Sequence, residues 1–184
     1  MLVECGFTRA TTPDGAEFTF RPSFGRIASL GDPFAIVSLY AGLFGPQAAA
    51  DAAYVLSCLC DQEDATPLIG WAEPVGEGTE LKWHAGAMSP PEQITIARHL
   101  MQHGIAGTSR PGTGAGKFSA RFDAAEYVSA ARVHLGLSSA DAEALSMTEF
   151  QAMLEMKFPD QNKGRDVPSR AEYDAGMARL KETR

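Results

Sequence analysis

Residues 34–60 contain a single charged side chain, Asp51. A tract this apolar must be buried in a core, in a membrane or against a partner. The Gly45-Pro46 pair divides it into halves of roughly 11 and 14 residues, each short of the about 20 a bilayer-spanning helix needs. The tract therefore reads as a buried helical hairpin and not as a membrane anchor. In its first half Phe34, Val37, Ala41 and Phe44 form one stripe, while Ile36, Leu39, Tyr40 and Leu43 form another. A helix apolar on two faces is either central to the core or partly buried in a partner. The second half is Ala-rich and predicts a helix over residues 47–60.

The flanking sequence supplies start and stop signals. Asp32-Pro33 opens the first helix of the tract, with Asp as cap and Pro in the first turn, where its missing N–H is not needed. Upstream, residues 2–8 and 16–21 read as two short strands joined through Thr12-Pro13-Asp14-Gly15, which is strong turn chemistry. Phe18 and Phe20 alternate with Glu17, Thr19 and Arg21, the period of a half-buried strand. Ser23 then caps a short helix that ends before Gly31. Residues 68–72 and 80–83 read as a second hairpin around the Gly-rich residues 75–79.

Capping boxes recur in the C-terminal half. They are Ser89 with Glu92, Ser146 with Glu149, Ser169 with Glu172, and an Asp variant, Asp123 with Glu126. They predict helices over residues 90–103, 124–135, 147–158 and 169–182, with ends marked by Gly104, Gly136 and Pro159. Residues 107–117 read as a Gly-rich loop and 159–168 as a linker. The expected fold class is α+β, predominantly α-helical, with an N-terminal β-hairpin, an apolar helical core, a small central hairpin and C-terminal helices. Residues 1–158 are expected to form a single globular domain, followed by a linker and C-terminal helix over 159–184.

Charge and chemistry narrow the function. The net charge is −7, and residues 27–81 carry eight acids with no Lys or Arg. No concentrated basic face is available for nucleic acid. Three cysteines, Cys5, Cys58 and Cys60, are an odd number and point to a reducing compartment. The N-terminus lacks the apolar run of a signal peptide. Residues 112–117 suggest a phosphate loop but fail the pattern, because Pro111 stands where the first Gly is needed and Phe118 follows Lys117. Cys58 and Cys60 with His99 and His103 could ligate zinc. A Cys-x-Cys in a helix, however, turns its thiols to different sides. His103 is expected at a helix C-terminus, where the dipole favours its charge. No nucleophile motif is present, so no enzyme activity, cofactor or metal is expected.

Three stretches, taken together and in order, resemble a known family. Glu17-Phe18-Thr19-Phe20-Arg21-Pro22-Ser23-Phe24 is similar to the strand-to-helix opening of tailed-phage tail assembly chaperones and related gene-transfer-agent proteins. The stretch from Tyr127 through Leu135-Gly136-Leu137-Ser138 to Met147-Thr148-Glu149-Phe150 resembles their C-terminal pattern. The middle, from Cys60-Asp61 through Leu68-Ile69-Gly70 to His103-Gly104-Ile105, resembles a family of otherwise uncharacterised phage proteins. The resemblance implies a non-enzymatic protein of the host cytoplasm that binds the phage tape-measure protein and tail-tube protein during tail assembly, with self-association into a homo-oligomer. Alternatives are a structural tail completion or connector protein, or an acidic phage inhibitor of a host factor. Partner contacts are expected at Arg21 and Phe24, on the hairpin–helix junction, and at Asp61, Glu63 and Asp64, on the acidic turn.

Overall fold

The computed structural model describes residues 5–75, 81–107, 120–159 and 170. Strand β1, Thr8–Thr11, pairs antiparallel with β2, Glu17–Phe20, so that Thr8 stands opposite Phe20. The turn forms as its residues dictate: Gly15 takes φ 91°, and Thr12 exchanges hydrogen bonds with Ala16. Phe18 and Phe20 are buried while Glu17 faces solvent. Residues 2–4 of the strand expected over 2–8 lie outside the described residues, and residues 5–7 are not strand. Gly6 turns the backbone (φ 89°) and leaves room for His103, whose Cβ would clash with any side chain there.

Among the described residues up to 159, eight α-helices follow. They are α1 (Phe24–Ala28), α2 (Pro33–Gly42), α3 (Ala48–Leu59), α4 (Thr66–Ile69), α5 (Pro90–Met101), α6 (Ala124–Ala130), α7 (Ser139–Ala144) and α8 (Met147–Lys157). A second antiparallel pair, β3 (Gly70–Pro74) and β4 (Leu81–Ala85), stands between α4 and α5. The fold class is α+β and mainly helical, as the sequence predicts. The caps are those expected. Ser23 and Asp32 accept first-turn N–H bonds, and Ser89–Glu92 and Ser146–Glu149 form complete capping boxes. Asp123 also caps, accepting from the Ala125 N–H, but its partner acid Glu126 pairs with Arg121. Of the helix expected over 169–182 only Arg170 is described, and it is helical; Ser169, Glu172 and the rest of it lie outside the described residues, as do residues 160–168 of the linker and 108–117 of the Gly-rich loop.

Two short helices and one helix end depart from expectation. Ala65-Thr66-Pro67 turns the chain into α4 where the sequence suggests strand. Ser138 caps α7 in a stretch that shows no extended apolar period. Helices α5 and α6 each run on into a π-helical turn, Gln102–Ala106 and Ala131–Leu135. Gly104 therefore does not stop α5. A Cβ there would lie 2.7 Å from the Ile27 side chain, so this glycine permits close helix packing. The chain ends its helix at Gly107, with φ 74°.

One contiguous core links β2, α1, α3, α5, α6 and α8. Helix α3 buries Ala48, Ala52, Val55, Leu56 and Leu59 and packs along α5, which contributes Ala97, Leu100 and Met101. At the other end Phe24, Phe122, Tyr127 and Phe150 form an aromatic cluster with ring centroids 5.0–6.4 Å apart. The apolar tract is not a buried hairpin throughout. Helix α3 is buried on one face, whereas α2 lies at the edge of the core.

Two arginines close the exposed helix ends. Arg26 donates to the carbonyls of Cys58 and Cys60 at the end of α3 and pairs with Asp61 at 3.1 Å. Arg98 donates through Nε and Nη2 to the Leu43 carbonyl at the end of α2, at 3.0 and 2.7 Å. Cations at helix C-termini also favour the dipole. Arg26→Ala is expected to lower stability by about 1–2 kcal/mol, because it takes the side-chain donor from the Cys58 and Cys60 carbonyls and leaves Asp61 with Arg21 alone. Arg9→Ala, which breaks an exposed pair with Glu17, is expected to change it by less than about 0.5 kcal/mol. Urea denaturation of both variants measures the difference.

Candidate functional site

The residues singled out in the sequence are mostly absorbed into the fold. Phe24 is completely buried at the centre of the aromatic cluster, so it offers no surface to a partner, and its role is packing. Arg21 donates to Asp61 at 2.6 Å, and Asp61 also holds Arg26. This arrangement fastens β2 to the end of α3, where the Arg21 and Asp61 N–H groups bond the Leu59 and Thr19 carbonyls. Asp64 accepts from the Thr66 N–H and hydroxyl just before α4, and these bonds hold its carboxyl below the usual range. Glu63 is exposed.

The Cys and His residues likewise occupy packing positions. Cys58 is half-buried at the last turn of α3, and Cys60 is buried just beyond it, where burial raises the thiol's pKa. His103 is also buried. It meets the Thr148 hydroxyl at 2.9 Å through Nδ1 and stands beside His99, with ring centroids 4.5 Å apart. Among the described residues no three His, Cys, Asp or Glu side chains converge. His103 stands in the last turn of its helix, as expected, but its surroundings outweigh the dipole there. Burial, and then the neighbouring His99, lower its pKa from 6.5.

The structure leaves two apolar surfaces open. The first is the outer face of α2. Ile36 and Leu43 enter the core, with Leu39, Tyr40 and, from the other stripe, Val37 packed against it. Phe34 remains 60% exposed and Phe44 61%, with half-buried Val37 and exposed Ala41 between them. No charged side chain interrupts residues 33–46. Both helix ends are pinned. Asp32 accepts from the Phe34 and Ala35 N–H groups, the Phe122 N–H bonds the Pro33 carbonyl, and Arg98 holds the Leu43 carbonyl while lying 4.4 Å over the Phe44 ring.

The second surface is the β3–β4 arm. Its base is fixed by Gln93, whose buried amide donates to the Ile69 and Met88 carbonyls. Gly70 and Gly86 allow the two chains to meet there, since a Cβ on either would strike backbone at 2.5 Å or less. Beyond the base every residue of β3 is exposed. One face carries Trp71 stacked on His84, at 4.3 Å, with His84 bonded to Glu73. The other face carries Trp83 and Leu81, exposed by 51% and 67%. Periodicity located this hairpin but gave no sign that neither face is covered. An apolar groove of about 570 Å³ lies below the arm, between Ala10 and Pro13 of the first hairpin and Leu68, Met88, Pro91 and Ile96. The one acid on its wall, Glu92, is engaged by Ser89.

His103 makes stability depend on pH. As pH falls below about 6.5 the unfolded chain takes up a proton that the native imidazole refuses, so native stability is lost downward from there. The melting temperature is expected to fall between pH 7 and pH 5, and His103→Asn, which can keep the Thr148 bond, is expected to flatten that slope in calorimetry.

The comparisons with known proteins bear on most of this architecture. No curated protein and no solved structure matches the chain. Residues 41–175, from the end of α2 onward and including the arm, match a family of unknown function, DUF6246, and the chain belongs to that family.

Proposed function

We propose that this protein is a polypeptide-binding module that performs no chemistry of its own and acts as a tail assembly chaperone in the cytoplasm of a phage-infected host. Its clients are the tape-measure protein and the tail-tube protein, and the client surface is the outer face of α2. The observation that carries this reading is the uncharged outer face on which Phe34, Ala41 and Phe44 stand in solvent beside half-buried Val37, while Ile36 and Leu43 enter the core. A monomer gains nothing from such a face, whereas a groove for an amphipathic client helix needs one. Covering the exposed parts of both phenyl rings is worth about 2–4 kcal/mol. The acidic stretch keeps a client complex soluble and steers basic client segments. The likeness of residues 17–24 and 127–150 to tail assembly chaperones supports the assignment to tail assembly. No helix among the described residues is long and apolar enough to cross a membrane.

Co-expression with tape-measure and tail-tube proteins tests the reading. The wild-type chain is expected to co-purify with at least one of them. Phe34→Ser combined with Phe44→Ser, at exposed positions that leave the core intact, is expected to weaken capture about tenfold or more. Absence of a complex with either client contradicts the proposal. Stoichiometric presence in purified particles, read by mass spectrometry, would assign the protein to the virion instead.

A further inference from the structure

We propose that the outer edge of β1 and the apolar groove beside it bind an extended peptide of another protein, which adds a strand to the first hairpin. The register of the hairpin decides which main-chain groups are open. The Thr12 N–H bonds the Ala16 carbonyl, Ala10 stands opposite Phe18 and Thr8 opposite Phe20. Bonded pairs alternate along an antiparallel ladder, so those of β1 fall on Thr8 and Ala10. The N–H and C=O groups of Arg9 and Thr11 therefore point away from β2. The same alternation turns the Thr19 groups to the far side of β2, where they bond the Gln62 side chain and the Asp61 N–H. The β2 edge is thus closed by the end of α3. Among the described residues no group bonds the Arg9 or Thr11 main chain.

The groove stands beside this open edge. Ala10 and Thr11 line one wall, and Leu68, Met88 and Ile96 line the other. An added strand lies about 4.8 Å from its neighbour, so a peptide bonded to Arg9 and Thr11 runs along the groove and turns alternate side chains into it. Apolar walls suit apolar side chains at those positions. A helix in the groove would leave the edge groups without partners, so the open main chain selects an extended occupant. Charge supplies the rest of the selection. Glu92 is the one ionisable side chain on the wall, and its partners, the Ser89 N–H and hydroxyl, are neutral. A second acid, Asp14, follows wall residue Pro13 in the chain. These acids favour a peptide whose apolar positions are flanked by basic residues. A second copy of this chain does not supply such a strand: its β1 packs Ala10 on its own core and carries Arg9 already paired with Glu17. This surface shares no residue with the outer face of α2, so the inference does not rest on the client reading.

Amide hydrogen exchange of the full chain, read residue by residue by NMR, tests the proposal. In the free protein the Arg9 and Thr11 amides are expected to exchange at least about tenfold faster than that of Ala10. The probe is the nonapeptide Lys-Thr-Val-Thr-Ile-Thr-Val-Thr-Lys. It is expected to slow exchange of the Arg9 and Thr11 amides about tenfold or more and to shift the methyl resonances of Met88 and Ile96. The same peptide with Glu at both ends, or reordered so that its apolar residues are adjacent, is expected to bind more weakly. Thr11→Pro removes an outward N–H at an exposed edge position and spares the bonds to β2. Thr95→Lys sets a charge on the groove wall. Each is expected to weaken peptide binding about tenfold or more with an unchanged circular dichroism spectrum. Arg9 and Thr11 amides already protected in the free chain, no slowing on addition of the peptide, or a Thr11→Pro variant that binds as wild type does would overturn the proposal. Protection that appears with rising protein concentration alone would give the edge to a second copy and overturn it as well.

Discussion

Helix α2 is apolar on both sides, and the core has room for one of them. Ile36 and Leu43 take that place with less than 3% of their surface exposed. The helix cannot roll to trade faces, because Asp32 and the Phe122 N–H fix its first turn and Arg98 holds its last carbonyl. Phe34 and Phe44 are thus kept in water by hydrogen bonds at the two ends of the same helix. Rotation would bury more apolar area but orphan those end groups, each at about 1–3 kcal/mol. The outer face is in this sense a built surface, held open by the polar groups at its rim.

The arm between α4 and α5 follows a similar logic. A two-stranded hairpin is marginal alone, and this one borrows its order from a buried base. Gln93 satisfies two carbonyls there, and Gly70 and Gly86 let the strands enter side by side. The Trp71–His84–Glu73 arrangement orders one face and leaves Trp83 and Leu81 on the other. Both this surface and the greater part of the helical core lie within the residues that match the DUF6246 family, so the architecture that presents them belongs to the family's own span.

Much of the fold was legible because its signals are local. Ser23, Asp32, Ser89, Ser146 and the Thr12–Gly15 turn each act within four residues, and each formed as read. What was illegible depends on partners far along the chain. Arg21 and Asp61 looked like partner contacts, but they meet across β2 and the end of α3. Nothing local shows that Arg26 and Arg98 close helices whose ends lie 32 and 55 residues away. Gly104 has the look of a helix stop, and only the approach of Ile27 reveals it as a packing position. For the candidate site, the two stripes of α2 could be read directly. Which stripe would face water is decided by Leu43, Arg98 and Phe122 together, and so could not be.

The most direct measurement is hydroxyl-radical footprinting of phenylalanines in dilute, client-free protein. The account predicts rapid oxidation of Phe34 and Phe44 beside protected Phe20 and Phe24, with protection spreading to Phe34 and Phe44 once tape-measure or tail-tube protein is bound. Slow oxidation of Phe34 and Phe44 in the dilute monomer, or unchanged oxidation in the complex, would contradict it.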